Sequence, residues 1–227
     1  MKNLVLFFIL ISFYFNCSYA SNSDVDEAYE KWVEILDKQL WIVKKYESDL
    51  YTKILKGVLN DLTNGSTDQN LMWNVLKKQE PLMDKYIVTA PLEILDEFHN
   101  KEIAKMDYLI KKNRIECLEI YFSESNSIFN ALKLIPLEIR DIRKILEKAI
   151  LSSKSGYKPK IDLEKGELNY SQLIQVIANK YGAEFNMAID KPSTVRSCEI
   201  LNEIDKMVSK LDEIKRENVL RYLYTPD

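Results

Sequence analysis

The chain has 227 residues, of which 46 % are hydrophobic and 30 % charged, and a formal net charge of −3. Its bases come in small groups such as Lys111, Lys112 and Arg114, each diluted by nearby acids, so there is no basic stripe to track phosphates and nucleic acid is not an expected partner. Five glycines and six prolines are few for this length, which argues for a few long elements and one ordinary domain.

Lys2, the apolar run from Leu4 to Phe15 broken only by Ser12, and Ser18-Tyr19-Ala20 form the pattern of a cleaved secretory signal. The run is about half the roughly 20 residues of a membrane-spanning helix, and no later stretch approaches that length. Residues 1–20 are read as a signal peptide cleaved near Ala20, in preference to an uncleaved anchor or a lipoprotein acylated at Cys17. The expected product is residues 21–227 as a single helical domain, secreted or periplasmic, with no integral membrane segment. Two cysteines then remain, Cys117 and Cys198. An even count in an oxidising compartment leads us to expect one disulfide between them.

From Val25 to Leu62 the residues Tyr29, Trp32, Leu36, Val43, Leu50, Ile54 and Val58 recur at helical spacing, which predicts one long helix with Ser23 as its cap and Asn64-Gly65 as its stop. A second helix is predicted from about Thr67 to Gln79, with Pro81 forcing an end or a kink. Thr89-Ala90-Pro91 starts a third, whose stripe continues through Leu95, Phe98, Leu109, Cys117, Tyr121 and Ile128 to Leu134. Pro136 opens another, closed by Ser152 to Gly156. Tyr157 to Leu168, with Pro159 and Gly166, reads as a loop. Leu173 to Phe185 is helical again, and Pro192-Ser193-Thr194 resets the chain for a last helix, through Leu201, Ile204, Val208, Leu211 and Ile214 to Tyr222. That helix has nearly a coiled-coil seam, which can pair within the chain or between copies as a homo-oligomer. The predicted fold is all-α: an elongated, mostly antiparallel bundle with two or three long helices and shorter connecting ones.

The chain has one histidine, His99. Asp96, His99 and Glu102 could share a helix face as a metal half-site, but a di-iron bundle wants a second histidine, so a solvated surface histidine is expected, with no metal and no cofactor. No Gly-x-Ser-x-Gly turn, phosphate loop or Cys-x-x-Cys pair occurs. Arrays such as Glu203, Lys206 and Lys210 read as solvated faces with weak ion pairs. The stronger clue is Leu40-Trp41-Ile42-Val43, where the first helix is apolar all round although Asp37, Lys38, Lys44 and Lys45 neighbour Trp41. A tryptophan ringed by charge resembles the anchor of a protein-binding site, and Trp41 with Ile42 is the first candidate partner surface, although a helix apolar all round is usually buried and cover by a second helix is the favoured explanation. Tyr222 and Tyr224 in the tail form the second, although docking of the C-terminal helix onto the body is the favoured reading of that tail. Asn64 and Asn169 head N-glycosylation sequons that carry meaning only in a eukaryote.

These readings favour a non-catalytic extracytoplasmic protein that binds another macromolecule, with a protein as the expected partner, as adaptor, inhibitor or neutralising partner. An acid-base or metal-assisted hydrolase and a helical lipid or small-ligand carrier are the alternatives.

Overall fold

The computed structural model describes residues 25–122 and 128–225, and residues 1–20, read as a signal peptide, and Ser23 lie outside them. All regular structure there is helical, and no described helix is long and apolar enough to cross a membrane. By their contacts the described residues fall into two compact units, 25–81 and 82–225, with the boundary in the chain just after Pro81.

In the N-terminal unit the expected single helix is three: α1 (Val25–Gln39), α2 (Trp41–Tyr46) and α3 (Ser48–Thr63). Glu47 leaves the helical region with φ −135° and ψ 55°, and α3 packs back against α1. Hydrophobic period alone could not reveal this reversal, because the apolar positions on both sides of it keep the same spacing. Asp37 seals it, accepting hydrogen bonds from Lys44 Nζ at 2.7 Å and from the Tyr51 hydroxyl. The stop at Asn64-Gly65 is as expected, with Gly65 at φ +71°. Thr67 then caps α4 (Asp68–Lys77) by accepting from Asn70 N–H. Leu36, Ile54, Val58 and Leu71 form the core of this unit.

A short α-turn, α5 (Glu80–Leu82), runs into a π-helical turn (Met83–Ile87) ahead of the C-terminal unit's first long helix, α6 (Leu92–Lys111), which Pro91 opens as predicted. The stripe expected to reach Leu134 breaks early. Asn113 is left-handed at φ +51°, Arg114 N–H bonds the Leu109 carbonyl and Asn113 N–H the Ile110 carbonyl, which is a Schellman stop built on asparagine in place of glycine. The chain resumes as α7 (Cys117–Phe122), α8 (Ile128–Leu134), α9 (Leu137–Arg140) and α10 (Arg143–Lys154).

The predicted loop ends sooner than expected. Asp162 caps Lys165 N–H, so α11 (Leu163–Tyr181) takes in Gly166 and also Asn169. Gly182, at φ +54°, separates α11 from α12 (Ala183–Asp190). The final predicted helix is two, α13 (Val195–Val208) and α14 (Glu213–Tyr224), with Asp212 capping Lys215 N–H. The coiled-coil seam is therefore interrupted, and Ile214, assigned to it, is 74 % exposed.

The C-terminal half of α14 is buried throughout, from Asn218 to Tyr224. Its closest neighbour is α11, and Gly166 makes that approach possible: a Cβ there would meet the Asn218 carbonyl oxygen and lie 2.5 Å from Tyr222 Cβ. The fully buried Arg221 donates to the carbonyls of Val88 and Ala90 and to Glu217. It thereby ties α14 to the segment before α6.

Candidate functional site

The run Leu40 to Val43 is apolar all round because the chain turns there. Leu40, Ile42 and Val43 enter the core, each 2 % exposed or less, while Trp41 is left outside at 38 %. Among the described residues no second helix buries it. Ile42 belongs to the core and cannot share a partner-binding face with Trp41, so that half of the expected patch is corrected. The outer face is instead Trp41 with the exposed Lys44 and Lys45. Lys45 Nζ stands 5.7 Å from the Trp41 ring centroid and 4.6 Å from that of Tyr46, at cation–π range, while Lys44 is held by Asp37. Asp37 is thereby kept below the usual carboxylate range, first by its bond from Lys44 and then by that from Tyr51. The aromatic plane thus sits on a short, pinned helix with a basic rim.

The tail is docked onto the body, the reading favoured for it from the sequence, and not free for recognition. Tyr222 is 8 % exposed and Tyr224 1 %, so neither offers a surface to a partner. Tyr224 stacks edge-on to Phe98, with ring centroids 5.0 Å apart. His99 is likewise buried, at 1 % exposure, and is not the solvated residue expected. Its Nδ1 lies 2.7 Å from the Tyr224 hydroxyl and its Nε2 2.9 Å from the Asp205 main-chain oxygen. A carbonyl can only accept, so Nε2 carries the proton and Nδ1 accepts from Tyr224.

Further polar pairs involve α6, α7 and α13. Tyr121 of α7 donates to the Asp205 carboxylate at 2.9 Å, Lys105 pairs with Glu102 at 2.6 Å within α6, and Asn202 of α13 donates to Asp107 at 2.7 Å. Burial pushes the Asp205 carboxyl up and nearby Glu102 adds to this, against the opposing hydrogen bond from Tyr121. The Tyr121 and Tyr224 hydroxyls are pushed well above the ordinary phenol range, chiefly by burial. Asp96 is turned away to Arg216 at 2.8 Å, so the Asp96, His99, Glu102 half-site does not assemble. Among the described residues no group of three or more metal-ligating side chains comes together.

Cys117 and Cys198 are both fully buried and stand at disulfide distance, 1.90 Å between sulfurs and 6.2 Å between Cα atoms, joining α7 to α13. Asn64 sits exposed in the turn after α3. Asn169 lies inside α11 and not beside its end, because the helix starts earlier than the glycine and proline suggested.

Sequence reasoning missed a surface groove of about 310 Å³ lined by Tyr181, Glu199, Glu203, Lys206, Met207 and Lys210. Three of these residues form the array that reads as an ordinary solvated face. What distinguishes it is Tyr181, which α11 brings beside α13 and whose hydroxyl donates to Glu203. The signal was present only as a mixed-charge stripe, and mixed-charge stripes are common.

No known protein family, curated protein or solved structure matches the chain.

Proposed function

We propose that the mature chain is an extracytoplasmic helical binding protein that acts by docking another protein onto the Trp41 face of α2. The observation that carries this reading is that Trp41 stays exposed while the residues on either side of it, Leu40, Ile42 and Val43, fill the core. A large, rigid aromatic side chain beside two lysines is the residue type that dominates binding energy when a partner desolvates it. The partner surface that fits it is an apolar pocket with an acidic rim.

The disulfide-distance cysteine pair is compatible with an oxidising compartment and agrees with the N-terminal signal pattern. The hydrolase alternative rested most concretely on His99. Both of its ring nitrogens are engaged in holding α6, α13 and α14 together, which favours a structural role for it. Hydroxyl-radical footprinting tests the proposal: Trp41 is expected to oxidise readily in the purified protein and to be protected several-fold in the native extracytoplasmic fraction. Equal oxidation in both would contradict it.

A further inference from the structure

The segment from Ser155 to Asp162, between α10 and α11, is the longest stretch without helix among the described residues. Ser155 to Ile161 are exposed apart from the half-buried Pro159, so even Tyr157 and Ile161 give nothing to the core. The backbone is bonded only at the edges, where Tyr157 N–H reaches the Ser152 carbonyl and Gly166 N–H that of Asp162. Among the described residues no backbone hydrogen bond holds Lys158 to Ile161. Pro159 has a fixed φ, and as the residue before it Lys158 is confined to extended backbone. Lys160 therefore follows two residues already biased toward an extended strand.

We propose that the Lys160–Ile161 bond is a processing site for a Lys/Arg-specific endoprotease and that the product is a two-chain protein. Such an enzyme takes its substrate as an extended strand, so helical or hydrogen-bonded backbone must open before it is cut. Water adds across the amide, leaving a carboxylate on Lys160 and an ammonium group on Ile161. The competing bonds are protected. Lys158 and Lys191 precede prolines, and Lys154 ends α10 with the next N–H bonded to the Leu151 and Ser152 carbonyls. Arg114 sits in the bonded turn after α6 with its side chain on Glu116, and Lys210 N–H bonds the Met207 carbonyl. The cut leaves the fold braced on both sides. The disulfide-distance cysteines Cys117 and Cys198 lie one before and one after the bond, both fully buried. His99 meets Tyr224 across it, and Arg221 reaches back to the carbonyls of Val88 and Ala90. This site belongs to the C-terminal unit and does not depend on the Trp41 face.

Trypsin at a low ratio is the probe, acting on the mature chain with its cysteines unreduced, read by intact mass and by gels with and without reductant. The first cut is expected after Lys160, at least about tenfold faster than at any other bond. The nicked protein is expected to keep its circular dichroism and to run as one band until reductant separates two pieces. Lys160→Gln, at an exposed side chain, slows the first cut by about tenfold or more, whereas Lys210→Gln leaves it unchanged. The protein isolated from its own source is expected to yield, on reduction, a chain that begins at Ile161. A first cut elsewhere, pieces that part without reductant, lost circular dichroism on nicking, or an unbroken chain in the native material would overturn the inference.

Discussion

His99 and Tyr224 show how a residue type usually read for chemistry can be spent on architecture. The imidazole uses one nitrogen to accept from the tyrosine and the other to donate to the backbone of α13, so three helices meet at a single ring. Tyr224→Phe keeps the packing and strands Nδ1 without a donor, which is expected to cost about 1–3 kcal/mol in urea unfolding followed by far-UV circular dichroism. An unchanged midpoint would mean that the bond contributes nothing. Asp205 makes a prediction of opposite sign. Its pKa is raised in the fold, first by burial, so the folded state carries a penalty above that pKa and loses it as pH falls and the carboxyl protonates. Asp205→Asn keeps an oxygen for Tyr121 and removes the charge. The variant is expected to melt at or above the wild-type temperature at pH 7, with the difference shrinking toward pH 4, and a melting temperature clearly below wild type at pH 7 would contradict this. None of it was legible in the sequence, because His99 and Tyr224 are 125 residues apart and the helical period of α6 is satisfied whether His99 faces in or out.

At the scale of the element, starts were more legible than interruptions. Pro91, Thr67 and Pro136 open helices as their chemistry requires, since a proline without an N–H and a hydroxyl that accepts one both suit a first turn. The breaks at Glu47 and Asn113 were not foreseen, because neither residue is a strong helix breaker and the conformation is fixed by tertiary packing and, at Asn113, by the Schellman bonds around it. Two glycines make the element-scale argument testable. Alanine in a helix interior is favoured over glycine by about 1 kcal/mol, so the neighbour that a Cβ would meet decides the outcome. At Gly57 that neighbour is the flexible end of Lys78, which can swing away, and Gly57→Ala is expected to stabilise the N-terminal unit by about 0.5–1 kcal/mol. At Gly166 it is the backbone of α14, which cannot, and Gly166→Ala is expected to cost the C-terminal unit about 1–3 kcal/mol. All three tryptophans, Trp32, Trp41 and Trp73, lie in the N-terminal unit, so their fluorescence follows the first variant and circular dichroism the second. Equal effects of the two substitutions would refute the distinction.

For the whole molecule, the all-α class and the cysteine partners were readable from periodicity and compartment, whereas the two-unit division was not, because it depends on where contacts are sparse and one proline does not report that. The candidate site was half readable. Charge around Trp41 marked it as unusual, but only the reversal at Glu47 shows that Ile42 turns inward while Trp41 stays out. The proposed function requires that exposed ring to be where another protein binds. Affinity capture of the mature protein from its own extracytoplasmic fraction, read by mass spectrometry with Trp41→Ala beside wild type, addresses the claim most directly. The predicted result is a near-stoichiometric partner on the wild type that is lost from the variant, with the variant's circular dichroism unchanged. A partner retained equally by both, or none on either, would contradict it.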